Sequence, residues 1–230
     1  MRFRQKFLQT TPRRHSLAEQ ALGGESDRVD REPSQAISRR DELLELAATM
    51  FAERGLRATT VRDIADGAGI LSGSLYHHFS SKEEMVDELL RSFLDWLFAR
   101  YREIVDSEAN PLERLKGLFM ASFEAIEHRH AQVVIYQDEA QRLLSQPRFS
   151  YIEDMNRQQR KMWVEVLNQG IDEGYFRPDL DVDLVYRFIR DTTWVSVRWY
   201  QPGGPLTAAQ VGQQYLAIVL GGITVDFKKD

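Results

Sequence analysis

From residue 38 onward the sequence predicts an all-α fold, and three observations carry that reading. Apolar residues recur at intervals of three and four in segment after segment, the spacing of a single helix face. Caps and breakers at Thr60, Gly69, Ser81, Gly174, Pro178 and residues 201–205 divide those segments. No stretch shows the alternate-residue apolar pattern of a strand, and neither an internal repeat nor a glycine-rich phosphate loop occurs.

The first 37 residues stand apart. Arg2, Arg4, Lys6, Arg13 and Arg14 make a basic start, with no acid before Glu19, and Glu25, Asp27, Asp30 and Glu32 then reverse the sign. With few apolar residues to bury, this segment is expected to be disordered: a solvated tail, or an arm that reaches a minor groove or phosphates. The first helix spans 38–54, with Leu43, Leu46, Ala47, Met50 and Phe51 as its inward stripe and Gly55 as its stop.

The next two helices are short. Val61, Ile64, Ala65 and Ala68 form one apolar stripe, and Thr60 with Asp63 reads as a capping box. Gly69 supplies the turn, since a residue without Cβ takes positive φ freely. A further helix starts near Leu71, with Leu75 and Phe79 inward and Ser72, Gly73, Ser74, Tyr76 and His77 outward. This is the layout of a helix-turn-helix, whose second helix presents its outer face to a major groove. No acid lies between Gly67 and Lys82. Gly73 inside a helix costs about 1 kcal/mol relative to alanine and needs a reason such as close approach of another backbone. Ser81 and Glu84 form a second capping box, which puts Lys82 in the first turn of the following helix, where free N–H groups attract phosphate.

Met85, Leu89, Phe93, Trp96, Leu97, Tyr101 and Ile104 then trace one long helix, followed by helices at 111–128, 131–144, 151–173, 181–200 and 207–225. The last two are apolar on more than one face. Leu184, Val185, Phe188, Ile189, Val195 and Trp199 on one, and Tyr215, Ile218, Val219 and Gly222 on the other, predict burial against the same helices of a second subunit. Gly221 beside Gly222 permits a close approach. Arg190, Trp194 and Arg198 succeed each other at i+4, with Arg187 beside them. Two readings stay open: a solvated face paired with Asp183 or Asp191, or a site for a planar anion, with guanidinium groups on phosphates and the indole stacked on a base. Phe119, Phe123, Tyr136, Tyr151, Met155, Met162 and Trp163 are candidates for the wall of an acyl pocket, or for plain core.

The helix at 38–54 and the run GLRATTVRDIADGAGILSGSLYHHFSSKEEMVDEL at 55–89 together resemble the N-terminal domain of the TetR family of bacterial transcription regulators. That resemblance implies a three-helix DNA-binding domain over 38–84 and a helical effector-binding and dimerisation domain over 85–230, behind the N-terminal arm. It also implies a homodimer that leaves a double-stranded DNA operator when a small-molecule inducer binds. By the same resemblance Thr60, Ser72, Gly73, Ser74, Tyr76, His77 and Lys82 match DNA-facing positions, the last three mostly on phosphates. The charges add Arg39, Arg40 and Arg62. One departure stands out: family members commonly carry Ser or Thr where this chain has Leu71, so Ser72 is the substitute candidate for the missing hydroxyl. The effector half is similar in texture to actinobacterial repressors of steroid and cholesterol catabolism, whose inducers are CoA thioesters. Arg187, Arg190, Trp194 and Arg198 would then take the CoA, and Phe123, Tyr136, Tyr151 and Trp163 the acyl group. A fatty acyl-CoA or another hydrophobic inducer, and activation in place of repression, stay open.

Composition narrows the alternatives. A chain of 230 residues that is 43% hydrophobic can bury a sizeable core. Cysteine is absent, which excludes disulfides, thiolate metal sites and cysteine nucleophiles. No export signal or membrane span is read, so a cytoplasmic protein is expected. His77 and His78 are adjacent and lack a third ligand, so no metal is expected, and no cofactor motif occurs. Glu124, Glu127, His128, His130, Asp138 and Glu139 are the best acid–base candidates, but nothing accompanies them as a nucleophile, and an enzyme is not expected. The net charge of −5 is unusual for a DNA binder. Residues 38–91 alone hold seven basic and ten acidic side chains, so affinity must come from local placement and should fall with salt by about 0.9 in log K per phosphate neutralised.

Overall fold

In a computed structural model of the chain, residues 38–225 are described, and the basic arm expected before residue 38 lies outside them. Among the described residues there are nine α-helices and no named strand. Helix α1 (Arg39–Arg54) opens with a reciprocal cap between Ser38 and Asp41 and ends at Gly55, whose φ of 84° suits glycine. Helices α2 (Val61–Gly67) and α3 (Ser72–Tyr76) follow, with Gly69 at φ 66° in the turn between them. Helix α4 (Lys82–Val105) has 24 residues, a span of about 36 Å at 1.5 Å per residue. It buries Met85, Val86, Leu89, Leu90, Phe93, Leu94, Leu97, Phe98 and Tyr101 along its length.

The remaining helices are α5 (Pro111–His128), α6 (His130–Leu143), α7 (Tyr151–Asp172), α8 (Val182–Val195) and α9 (Ala208–Ile223). The helix expected over 181–200 stops early. The Ser196 hydroxyl donates to the Thr193 carbonyl at 2.6 Å, and the chain tightens into a 3-10 turn at Ser196–Arg198. Helix α5 is the hub of the second half, packing on α4, α7 and α9. There Trp163 meets Phe119 and Tyr101 edge-on, with ring centroids 5.5 and 5.9 Å apart. The Tyr101 and Ser122 hydroxyls share a buried 2.6 Å hydrogen bond.

Two fastenings hold α9. At its start the Glu127 carboxylate accepts from the Ala208 N–H at 2.9 Å and from the Tyr200 hydroxyl. These bonds hold Glu127 below the ordinary carboxylate range, so this carboxylate, an acid–base candidate by sequence, serves as a helix clamp. At its end Phe176 and Thr224 form an isolated antiparallel bridge, with Arg177 N–H to the Ile223 carbonyl at 2.8 Å. The Arg177 guanidinium also donates to the Gly222 carbonyl at 3.0 Å while forking onto Asp179.

Phe176 is 1% exposed, and its ring lies so close to Gly170 that a Cβ there would come within 2.1 Å of it. A Gly170→Ala variant is therefore expected to lose about 1 to 3 kcal/mol, the usual cost of overpacking around a rigid ring. Urea unfolding measures this; an unchanged midpoint would mean that Phe176 moves aside freely.

Candidate functional site

Two regions gather the sequence-predicted residues: the outer face of α2 and α3, and a cleft between α6, α7 and α8. On the first, Leu75 and Phe79 are buried at 1% and 2%. Gly73, Ser74, Tyr76 and His77 are exposed and Ser72 is half-buried. Leu71 is the N-cap of α3 and makes no side-chain cap bond; Ser72 follows it as the first helical residue and does not restore the missing hydroxyl. Thr60 caps α2. Its hydroxyl donates to Asp63 Oδ2 at 2.6 Å and accepts from the Asp63 N–H at 3.1 Å. The bonds from Thr60 keep the Asp63 carboxyl below its ordinary range.

Several cations expected to reach DNA are bonded within the protein. Lys82 donates to the Leu56 and Thr59 carbonyls at 2.7 and 3.0 Å, because the loop before α2 ends with carbonyls directed at the start of α4. Arg39 donates to Glu42 at 2.7 Å and to the Ala68 carbonyl at 3.1 Å, bracing the end of α2. Arg40 lies over the Phe79 ring at 4.3 Å and forks onto Glu88. Arg62, by contrast, has a side chain 84% exposed and only a loose 3.8 Å contact with Asp66. Ser81 caps α4 as expected, but the Glu84 carboxylate returns to Ser80, accepting from its N–H at 2.6 Å and from its hydroxyl, and the reciprocal box is displaced by one residue. Thr59 was not singled out from sequence. It is fully buried and ties α1 to the α2 loop by donating to the Met50 and Gly55 carbonyls at 3.2 and 3.0 Å. A threonine beside a capping threonine gives no local signal of that role.

The cleft has a volume of about 490 Å³ and is walled by Tyr136 and Ala140 of α6, Leu144 just past its end, Asn156, Arg157 and Arg160 of α7, and Tyr186 and Arg190 of α8. The Tyr136 hydroxyl donates to Asn156, and burial pushes its phenol up to about 12. A smaller recess of about 80 Å³ continues past Gln159 to Trp194. Arg190 lies 5.8 Å from the centre of the Tyr186 ring and bonds Asp191 at 2.7 Å. Arg160 pairs with Asp183, and Arg157 with Asp154 and Glu153.

The structure divides the expected effector residues. Arg190 and Tyr136 line the cleft. Trp194 is only 6% exposed and meets Phe93 edge-on at 6.3 Å, so its faces are not open for stacking: it lies on the inward stripe of α8. Arg187 and Arg198 do not line the cleft, and Arg198 pairs with Asp138 at 3.4 Å, having left the helical face at the 3-10 turn. Phe123 packs on Tyr215 and Trp163 on Phe119, both in the core. Tyr151 lies beneath Arg91 at 3.8 Å. Arg157, Arg160, Asn156 and Tyr186 were missed, since their common wall exists only once α7 is docked on α8.

This arrangement, a capped helix-turn-helix on one end of α4 and an arginine-rimmed cleft among the later helices, can be set against known proteins. Residues 43–89 match the model of the bacterial regulatory proteins of the tetR family, and residues 108–223 match a tetracyclin repressor-like C-terminal domain. The HTH-type transcriptional repressor KstR2 of Mycobacterium tuberculosis is 89% identical over 196 residues, which cover 85% of this chain and 98% of that protein. KstR2 of Rhodococcus jostii is 59% identical over 185 residues, covering 80% and 91%. The chain belongs to the TetR family. A solved structure of the ketosteroid transcriptional regulator KstR2 of M. tuberculosis superposes with a TM-score of 0.82 at 90% identity, covering 84% of this chain and 98% of that one. The protein is accordingly a transcriptional repressor of this family, a DNA-binding regulator and not an enzyme. Among the described residues no helix is long and apolar enough to cross a membrane, and no cluster of metal-ligating side chains occurs.

Gly73 yields a direct test of the reading face. It is helical and exposed, and a Cβ at this position would meet nothing within 4 Å, so nothing among the described residues requires a glycine. We expect Gly73→Ala to stabilise the fold by up to about 1 kcal/mol. The same change should weaken DNA binding by about tenfold or more if a DNA strand approaches the helix too closely for a methyl group. Thermal melting and a gel shift read the two effects separately; tight binding by the variant would remove the close-approach role.

Proposed function

We propose that the protein holds a palindromic operator as a homodimer and releases it when a CoA thioester derived from steroid-ring degradation enters the cleft between α6, α7 and α8. The observation that carries this reading is the cleft itself, with three guanidinium groups around a wall of tyrosine and aliphatic side chains. Its volume falls in the range of small-ligand pockets. Each arginine is paired with a carboxylate that is itself more than half exposed, and such pairs are worth only about 0 to 1 kcal/mol. A phosphate that takes two N–H donors from one guanidinium gains about 1.5 to 3 kcal/mol and can displace them. The apolar part of the ligand then lies against Tyr136, Tyr186 and Leu144. The ketosteroid regulator of M. tuberculosis, so similar in sequence, supports a steroid-derived acyl group over a straight fatty chain.

Dimerisation is supported by a stripe of exposed apolar side chains. Leu184, Phe188 and Val195 recur on one face of α8 at 63%, 54% and 44% exposure, and Ile218 of α9 is 69% exposed. Space around Gly221 and Gly222 is open, which suits a second helix lying close. Coupling to DNA runs through α6, which walls the cleft and also packs on α1 of the reader. A shift of α6 on ligand entry would turn α1 and α4 and change the separation of the two recognition helices, which must match a multiple of about 34 to 36 Å.

A gel shift against the promoter region of the chain's own gene, with a panel of CoA thioesters, tests this. A steroid-ring thioester should release the DNA at concentrations where free CoA and palmitoyl-CoA do not. Arg190→Met and Arg160→Met should bind DNA normally and require about ten to a hundred times more thioester, the loss of one charge-assisted contact each. Equal release by fatty acyl-CoA, or loss of the dimer in either variant by sedimentation, would defeat the ligand assignment.

A further inference from the structure

Leu71 is the most exposed large apolar side chain among the described residues, at 81%. Its backbone carries the start of α3, with the carbonyl accepting from the Ser74 N–H at 2.9 Å and the Leu75 N–H at 3.3 Å. The side chain adds nothing to that cap, where Ser, Thr, Asp or Asn would each supply a bond. Nor does it join the core. The extended backbone at position 71 (φ −73°, ψ 145°) takes it off the helical stripe on which Leu75 is buried. The fold therefore gains nothing from leucine here, on either account.

What surrounds Leu71 says what could cover it. It stands at the leading end of the recognition helix of a TetR-family repressor, beside exposed Gly73 and Ser74, in a stretch free of acids from Ala68 to Ser81. On the base edges of the major groove the one apolar group is the C5 methyl of thymine. We propose that Leu71 is a specificity-determining residue that packs on the C5 methyl of a thymine in each operator half-site. The inference rests on the operator-binding reading and deepens it. Leucine in place of a cap hydroxyl exchanges a phosphate-directed group, which positions, for a base-directed one, which specifies.

Thymine and uracil differ only in that methyl, so uracil replacement isolates the contact. A duplex would be selected from a random pool by the full-length protein, and each thymine then replaced by uracil in turn and in symmetric pairs. The expected result is one thymine per half-site whose replacement weakens wild-type binding about fourfold, and about fifteenfold for the pair, the value of one buried methyl-sized group. Leu71→Ala should bind the thymine duplex more weakly and show no further loss with uracil, whereas Tyr76→Ala should be weaker on both duplexes and keep the full uracil effect. Because Leu71 is outside the core, circular dichroism melting of Leu71→Ala should match wild type. Uracil sensitivity retained by Leu71→Ala would assign the methyl to another side chain and overturn the proposal, as would wild-type binding indifferent to every uracil. Failure to select any duplex would overturn the operator-binding reading instead.

Discussion

The rest of the molecule depends on α4 being one continuous helix. Its first residue, Lys82, anchors the loop that enters α2, and its middle supplies Phe93 to the packing around Trp194 and Tyr136. Near its end Tyr101 meets Trp163. A helix buried along one face over this length cannot bend sharply in the middle without opening the core packed against that face. Reader and effector half are thus connected by a rigid element, and any adjustment must be a tilt or a slide of α4 against its neighbours. A second connection is the packing of α6 on α1, through which the proposed ligand would act on that tilt.

Because a ligand shifts an equilibrium only by its difference in affinity for the two states, the wall that moves must also touch the ligand. Helix α6 is placed for both in the proposed mechanism, contributing Tyr136 and Ala140 to the cleft, with Leu144 just past its end, while packing against α1. The Arg91 guanidinium over Tyr151, close to the end of α6, ties α4 to the start of α7 as well. In the proposed ligand-dependent release no separate lever is needed, because the cleft wall itself packs on the reader.

Much of this was legible in the sequence, and the part that was not has a common cause. Helix periods and caps are local, so the elements from α1 to α9 fall close to where the apolar spacing puts them; the Thr60 box forms as read, and Ser81 caps α4 while its expected partner Glu84 returns to Ser80 instead. Charged side chains are long and find partners across the fold. Lys82, Arg39 and Arg40 look from their positions like free cations, yet each is engaged by a carbonyl, a carboxylate or a ring from elsewhere. The stripe Arg190, Trp194, Arg198 does not share one face for a related reason: an i+4 series does so only while the helix lasts, and this one ends at Val195. Arg190 meets Arg157 and Arg160 through docking of α7 on α8, a relation no local pattern records.

The fate of those cations changes how an acidic chain can read DNA. The steep salt dependence expected from several phosphate-bound side chains is reduced when three of them are bonded within the reader, since each phosphate left without a cation removes about 0.9 from the slope of log K against log salt. Arg62 keeps only a loose contact with Asp66, and Tyr76 is exposed, where its hydroxyl could contact a phosphate without neutralising it. A reader with a weak electrostatic grip gains little from non-specific DNA. Its affinity must come in larger part from contacts that depend on sequence, which is the role proposed for Leu71, a residue with no evident part in the fold.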